Sequence, residues 1–172
     1  MQKAVFIDRD GVINSDEGLY YVHRVEDFKL NPQIVSNIHL LKNEGFMVIV
    51  VTNQGGVARQ KYTLEDVQEL HRYMLTLFQE QDVIIDEIYF CPHHNEIENC
   101  LCRKPKPLMI EKAMARFDID KAKSYLIGDN SRDVEAASNA GIYGIKVDAN
   151  SNIADVCKFI INDFNARWKH CL

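Results

Sequence analysis

Short apolar runs alternate with segments of helical periodicity, and this alternation constrains the fold of the chain more than any other feature. Five runs rich in β-branched or aromatic residues are predicted to be buried strands: Ala4–Ile7, Met47–Val51, Glu87–Phe90, Ser124–Ile127 and Gly144–Val147. Four further segments place apolar residues at helical spacing: Gln33–Glu44, Leu64–Gln81, Pro107–Arg116 and Arg132–Asn139. Thr63 is expected to cap the second helix. The pattern predicts an α/β fold, a doubly wound parallel sheet with helices on both faces.

The composition of the chain indicates which classes of protein are compatible with it. The 172 residues are 47% hydrophobic, enough to bury a core, and we expect a single domain spanning residues 1–172. A net charge of −5 argues against general binding to nucleic acids or membrane surfaces, which usually shows as clustered positive charge. No apolar run approaches the roughly 20 residues that cross a membrane, and the apolar stretch at the N-terminus is too short for a signal peptide. We therefore expect a cytoplasmic monomer.

Polar side chains follow three of the predicted strands. Asp8 and Asp10 follow the first strand, Thr52 and Asn53 follow the second, and Asp129 follows a later one. Ligands of open parallel sheets bind outside the carboxyl ends of the strands. The three groups are therefore expected to converge on one crevice, although they are far apart in the sequence.

The first group, in the segment FIDRDGVIN, has the residue types needed for phosphoryl transfer. A carboxylate can attack phosphorus and form an acyl-phosphate, and a second acid can protonate the leaving oxygen. The spacing lets Asp8 face the phosphorus while Asp10 reaches the bridging oxygen, and Gly11 lets backbone N–H groups approach the phosphate. The alternative is an ordinary Asp- and Gly-rich turn after a strand.

The other two groups supply polar ligands. Thr52 and Asn53, in the segment VTNQGG, offer a hydroxyl and an amide to a phosphate oxygen. Asp129 and Asp133, in the segment GDNSRD, offer carboxylates of the kind that hold magnesium together with a substrate phosphate. Taken alone, Asp129 reads more simply as the N-cap of the following helix. The three groups together favour a magnesium-dependent site.

Cysteines concentrate in one short segment, CPHHNEIENCLCRKPKP. Cys91, His93, Cys100 and Cys102 give the spacing C-x-H-x6-C-x-C, which is typical of a closed structural zinc site. His94 is the alternative nitrogen ligand. The metal would fold an insertion, at about residues 91–102, that is too small for a core of its own. Cys157 and Cys171 are interpreted as ordinary thiols.

These motifs together resemble the haloacid dehalogenase (HAD) superfamily of phosphatases, from Phe6 to about Val147. The resemblance implies a HAD-like sheet, with Asp8 as nucleophile and Asp10 as general acid and base. The intervals from Asp8 to Thr52 and from Thr52 to Lys104 are too short for a large cap domain, so none is expected. The resemblance also implies Thr52 and Lys104 on the phosphoryl group. Magnesium would be held by Asp8, the backbone carbonyl of Asp10 and Asp129, with Asp133 in support. The predicted substrate-binding residues are Gly11, Thr52, Asn53, Gln54, Arg59, Arg103 and Lys104.

Within the superfamily, the zinc segment and the CRKP motif are similar to two sibling groups, the D-glycero-D-manno-heptose 1,7-bisphosphate 7-phosphatases and the histidinol-phosphate phosphatases. The segments TNQGGVARQKYT and GLYYVH are closer to the heptose group, which implies a phosphorylated sugar as substrate. A cation at the rim of the site, either Arg59 within the first of them or Arg103, would hold a second phosphate; the alternative for Arg59 is a solvated loop charge. One departure is Asn130, where the heptose group usually has lysine. The remaining alternatives are histidinol-phosphate phosphatase, a nucleic-acid end phosphatase, which the acidic charge disfavours, and a non-catalytic zinc-stabilised regulatory module.

Overall fold

A computed structural model of the chain describes residues 1–168 and contains seven strands within them. In chain order they are β1 (Ala4–Ile7), β2 (Asn14–Ser15), β3 (Lys29–Leu30), β4 (Met47–Asn53), β5 (Glu87–Cys91), β6 (Tyr125–Gly128) and β7 (Tyr143–Lys146). Five of them pair side by side as a parallel sheet in the order β5-β4-β1-β6-β7, while β2 and β3 form a separate antiparallel pair. The predicted parallel sheet is confirmed.

Five α-helices within residues 1–168 cover the sheet: α1 (Ile34–Asn43), α2 (Leu64–Gln79), α3 (Leu108–Phe117), α4 (Ser131–Ala140) and α5 (Ala154–Trp168). Two short 3₁₀ helices span Val25–Asp27 and Lys121–Lys123. The predicted helices and strands are all present, and their ends differ from the prediction by at most two residues. The sequence prediction missed α5 and the β2–β3 pair. Of the two cysteines interpreted as ordinary thiols, Cys157 is buried on α5, and Cys171 lies outside the described residues.

The core consists of two apolar layers, one on each face of the sheet. Successive side chains of a strand point to opposite faces, so Val5 and Ile7 of β1 join one layer while Ala4 and Phe6 join the other. All four are fully buried because β1 is the central strand. The first layer includes side chains of α1, α2 and α5, and the second includes side chains of α3 and α4. The sheet is therefore doubly wound.

The N-terminal caps of α2 and α4 test two of the predictions. Thr63 caps α2 as predicted, and its hydroxyl accepts a hydrogen bond from the N–H of Asp66. The N-cap of α4 is Asn130, whose side chain accepts a hydrogen bond from the N–H of Arg132. The alternative interpretation of Asp129 as that N-cap is therefore wrong, and the Asp129 carboxylate is available for another role.

Strand register brings the polar groups together. Ile7, the last residue of β1, lies between Val50 of β4 and Ile127 of β6. Asp8 therefore emerges in the middle of the carboxyl edge of the sheet, next to the residues that end β4 and β6. At the end of β5, Cys91 pairs with Asn53, so the cysteine-rich segment begins beside the same edge. No helix within residues 1–168 is long and apolar enough to span a membrane.

Candidate active site

Lys104 lies between two carboxylates at the carboxyl edge of the sheet. Its Nζ is 2.9 Å from Asp8 Oδ1 and 2.7 Å from Asp133 Oδ1, and it donates a further hydrogen bond of 2.7 Å to the carbonyl oxygen of Val51. All three charged side chains are buried. Burial lowers the pKa of Lys104, but the two carboxylates outweigh this effect, so the pKa is raised and the amine stays charged. Lys104 therefore holds Asp8 in place and brings positive charge to it.

The carboxylates at this edge have the donor set of a magnesium site. Asp8, Asp129 and Asp133 each offer an oxygen, and these oxygens lie within 4.8 Å of one another. The oxygens of Asp133 are already engaged, one by Lys104 and the other by the N–H of Asn130 at 3.0 Å. Asp8 and Asp129 therefore fit direct ligands of a hard cation, and Asp133 fits a supporting position.

Gly11 allows the first loop to pass close to Asp129. Its φ is +83°, a left-handed conformation that side chains rarely adopt, and a Cβ at this position would lie 3.0 Å from Asp129 Cγ. The N–H of Gly11 donates to the carbonyl oxygen of Asn14 at 2.9 Å. The close approach to Asp129 explains the requirement for glycine, and the predicted role of Gly11 in substrate binding stays a prediction.

The Asp10 carboxylate accepts hydrogen bonds from several side chains. The donors are Arg9 Nε and Nη2, Asn14 Nδ2 at 3.1 Å and Gln54 Nε2 at 2.9 Å. Arg9 is fully buried, although its side chain is large and charged. Its Nη1 lies 3.1 Å from Nε2 of His71 on α2. This network fixes the direction of the Asp10 carboxylate before substrate binds.

Gln54 connects this network to Thr52. Its Nε2 donates to Thr52 Oγ1 at 2.8 Å as well as to Asp10, and its Oε1 accepts from Arg9 and from the hydroxyl of Tyr62 at 2.9 Å. Burial raises the pKa of Tyr62, so its hydroxyl remains a donor. Because Thr52 accepts from Gln54, its own hydroxyl hydrogen is free to donate to a phosphate oxygen. Gln54 is itself buried and lies behind the cavity wall.

Asn53 fixes the backbone that carries the lysine. Its Oδ1 accepts from the N–H of Lys104 at 3.0 Å, and its Nδ2 donates to the carbonyl oxygen of the same residue at 3.1 Å. A single side chain therefore satisfies both backbone groups of Lys104, and the end of β4 is tied to the CRKP segment.

These groups surround an open cavity of about 270 Å³. Four carboxylates line it, together with two guanidinium groups and an aromatic loop that precedes α1. The lining residues are Asp8, Asp10, Asp16, Leu19, Tyr20, Tyr21, Thr52, Asn53, Gly55, His94, Arg103, Asp129 and Arg132. The three polar groups predicted to converge on one crevice all reach this cavity.

The predicted zinc ligands form a compact cluster beside the cavity. The donor atoms of Cys91, His93, Cys100 and Cys102 lie within 4.8 Å of one another. Cys91 Sγ is 3.1 Å from Cys102 Sγ and 3.7 Å from Cys100 Sγ, and His93 Nδ1 is 3.2 Å from Cys102 Sγ. Tetrahedral ligands about 2.3 Å from a zinc ion would be about 3.8 Å apart, so the four donors are near enough to one another to surround one zinc ion. His94, the alternative ligand, lines the cavity instead.

The predicted rim cations differ in their surroundings. Arg103 lines the cavity, and its Nη1 donates to the carbonyl oxygen of His93 at 3.0 Å. Arg59 does not line the cavity, and its guanidinium donates to the carboxylate of Glu96. Its role in binding a second phosphate stays a prediction, whereas a cation that the sequence prediction missed, Arg132, lines the cavity.

Sequence reasoning also missed the residues behind Asp10. Arg9 and Asn14 donate hydrogen bonds to that carboxylate, and His71 contacts Arg9. Tyr62 donates a hydrogen bond to Gln54. The only available signal was the position of Arg9 between the two aspartates. The partners on α2 and after β4 could not be inferred from spacing.

Comparisons with known proteins place this site in a family. The HAD-hydrolase-like family matches residues 101–161. The chain is 44% identical over 140 residues to the D-glycero-alpha-D-manno-heptose-1,7-bisphosphate 7-phosphatase of Campylobacter jejuni, covering 81% of this chain and 78% of that protein. This chain belongs to the heptose bisphosphate phosphatase family of HAD-like hydrolases. It is also 41% identical over 150 residues to the corresponding beta-heptose enzyme of Escherichia coli K12, covering 84% of this chain and 77% of the relative.

Solved structures agree with the family assignment. The D,D-heptose 1,7-bisphosphate phosphatase of B. bronchiseptica, complexed with magnesium and phosphate, superimposes with a TM-score of 0.86 at 27% identity. The match covers 95% of this chain and 99% of that one. The predicted HAD-like fold and the predicted phosphatase activity are confirmed, and the heptose group is favoured over its histidinol-phosphate sibling.

Proposed function

We propose that this phosphatase removes the 7-phosphate of a D-glycero-D-manno-heptose 1,7-bisphosphate through an aspartyl-phosphate on Asp8. The observation that carries the proposal is the division of positive charge around the cavity. Lys104 is ion-paired with the buried Asp8, which lines the cavity, while two guanidinium groups line the cavity wall. A substrate with two phosphates matches this division, and the relatives in the same family are named for such a substrate.

The reaction proceeds in two steps on the chain's own residues. An oxygen of Asp8 attacks phosphorus, the bond between phosphorus and the C7 oxygen breaks, and Asp10 donates its proton to that oxygen. In the second step Asp10 takes a proton from water, whose oxygen attacks the phosphorus of the aspartyl-phosphate. The bond to Asp8 breaks, inorganic phosphate leaves, and both aspartates return to their starting states.

The residues around Asp8 and Asp10 support each step. Thr52 donates to a phosphate oxygen, and Lys104 stabilises the negative charge that spreads over the phosphoryl oxygens. The hydrogen bonds from Arg9, Asn14 and Gln54 keep the Asp10 carboxylate aimed at the leaving oxygen. Magnesium bound by the carboxylates at the sheet edge would supply further neutralisation of the phosphate charge.

The cysteine cluster is proposed to hold one structural zinc ion. All four donor atoms come from protein side chains, which leaves no open position for substrate in a tetrahedral site. Cysteines stay reduced and available as metal ligands in a reducing compartment, which suits the predicted cytoplasmic location. The predicted single domain of residues 1–172 and the predicted monomeric state remain predictions.

A phosphate-release assay tests the proposed function. The substrates are the α and β anomers of heptose 1,7-bisphosphate, heptose 7-phosphate and histidinol phosphate. We expect the highest kcat/KM on one bisphosphate anomer, with phosphorus NMR showing heptose 1-phosphate as the product. A higher efficiency on histidinol phosphate, or release of the 1-phosphate, would overturn the proposal.

A further inference from the structure

The positive charges near the cavity are not equivalent, because most of them already have partners. Lys104 is committed to two buried carboxylates, and Arg59 is paired with Glu96 outside the lining. Arg103 faces the cavity but also donates to the carbonyl oxygen of His93. Arg132 differs from these three: within residues 1–168 its guanidinium has no hydrogen bond or ion pair.

The position of Arg132 is set by the start of α4. Asn130 caps the helix and accepts a hydrogen bond from the backbone N–H of Arg132, and the Arg132 side chain is exposed and lines the cavity. Asn130 itself carries no charge. The cavity is otherwise rich in carboxylates, yet none of them lies within ion-pair distance of Arg132 among the described residues. A free guanidinium here can fork onto an incoming anion with two parallel hydrogen bonds.

Sheet order places the two cavity-lining arginines on different sides of the nucleophile. Asp8 follows β1, the central strand. Arg132 follows β6, which neighbours β1 on one side, whereas Arg103 follows β5, which lies beyond β4 on the other side. An anion above the floor of the cavity therefore meets a guanidinium from each side. The floor itself is occupied by the phosphoryl group during transfer, under the proposed mechanism.

We propose that Arg132 is a specificity-determining residue that binds the phosphate retained by the product, in concert with Arg103. This inference rests on the proposed function and deepens it, since the retained group is the 1-phosphate of the heptose. The arginine that binds this 1-phosphate lies in the first turn of α4, not in the loop that carries Arg59. Arg132 and Arg103 thereby favour a doubly phosphorylated sugar over a sugar with one phosphate.

The test compares two substrates that differ only in the retained phosphate, heptose 1,7-bisphosphate and heptose 7-phosphate. Arg132→Gln removes the charge and keeps a good helix former. We expect the ratio of kcat/KM for the bisphosphate to that for the monophosphate to fall about tenfold, mainly through KM, because a charged hydrogen-bonding pair is lost at a partly solvated site. Arg132→Lys should restore part of the ratio, because it keeps the charge without the fork.

A matched control is Arg116→Gln, on α3. Arg116 is an exposed arginine paired with Glu87, the first residue of β5, at the opposite end of the sheet from the site. Its substitution should leave the substrate ratio unchanged. Thermal unfolding of all variants checks that α4 is intact.

The outcomes separate the two ideas. If the wild type releases the 7-phosphate but Arg132→Gln loses efficiency equally on both substrates, the role of Arg132 is overturned and the proposed function stands. Wild-type protein that does not act on either heptose 7-phosphate ester overturns both. A selective loss on the bisphosphate supports the inference, because a general disturbance of Asp129 or of α4 would lower both efficiencies together.

Discussion

His71 ties the stability of the fold to pH through its contact with Arg9. The imidazole is buried, and its Nε2 lies 3.1 Å from Arg9 Nη1. Arg9 can only donate hydrogen bonds, so Nε2 must accept and the ring must be neutral. Burial, together with the nearby charge of Arg9, lowers the pKa of His71 to about 3, although Asp10 opposes the shift.

The sign and size of the effect follow from this shift. An unfolded histidine gains its proton near pH 6.5, whereas His71 in the fold stays neutral until about pH 3. As the pH falls below 6.5 the unfolded state binds the proton first, so folding stability is lost progressively between these two values. The loss is about 1.4 kcal/mol per pH unit from this one group, or roughly 2 kcal/mol at pH 5.

Urea unfolding of the wild type and of His71→Gln, each at about pH 7.5 and about pH 5, measures this contribution. Glutamine keeps an acceptor for Arg9 and does not titrate. Contributions from other groups, the cysteine cluster included, are shared by both proteins and cancel in the comparison. We expect the wild type to lose about 2 kcal/mol more than the variant on acidification. Equal losses in the two proteins would refute the assignment of a neutral, buried His71.

Four further predictions concern the site itself. Asp8→Asn should abolish turnover while the protein still folds, because the amide has the shape but not the nucleophilicity of the carboxylate; turnover within about tenfold of wild type would contradict a covalent mechanism. Asp10→Asn should lower kcat about 10²- to 10⁴-fold through loss of acid and base catalysis, which single-turnover kinetics would show in both steps. Elemental analysis of freshly purified protein should find one zinc per chain, and less than about half an equivalent of metal would argue against the cluster as a metal site. Gly128→Ala should lower both kcat and stability, the latter by about 1–3 kcal/mol, because its Cβ would lie 2.2 Å from Asp133 Cβ; unchanged kcat would show that the position of Asp133 is not critical.

The sequence was sufficient to predict features that depend on order along the chain. Parallel strands end at one edge, so placing Asp8, Thr52 and Asp129 after separate strands predicted that they meet, and the structure brings them to one cavity. The spacing of the cysteines likewise predicted their cluster, because four donors in one short segment can close around one ion without help from distant elements.

Features that depend on packing between distant elements could not be predicted in this way. The Arg9–His71 contact joins residues 62 positions apart, and no periodicity marks it. The helix α5 was missed although Cys157 and Ile160 lie on its buried face. For Arg59, residue type and position suggested a rim cation, but its pairing with Glu96 depends on how two loops meet. Side-chain partners across loops are set by the folded geometry rather than by spacing.

The cysteine cluster and Lys104 are linked through the ends of β4 and β5 in this fold. Cys91 ends β5 in register with Asn53 of β4, and Asn53 holds both backbone groups of Lys104. Cys102 lies two residues before Lys104, so a metal in the cluster would fix one side of the segment while Asn53 fixes the other. Arg103, between them, is anchored to the carbonyl oxygen of His93. An ion that touches no substrate would therefore still determine where the buried Lys104 and the Arg103 guanidinium at the cavity wall are placed. A loop without a core of its own can in this way position charges with the precision that catalysis requires.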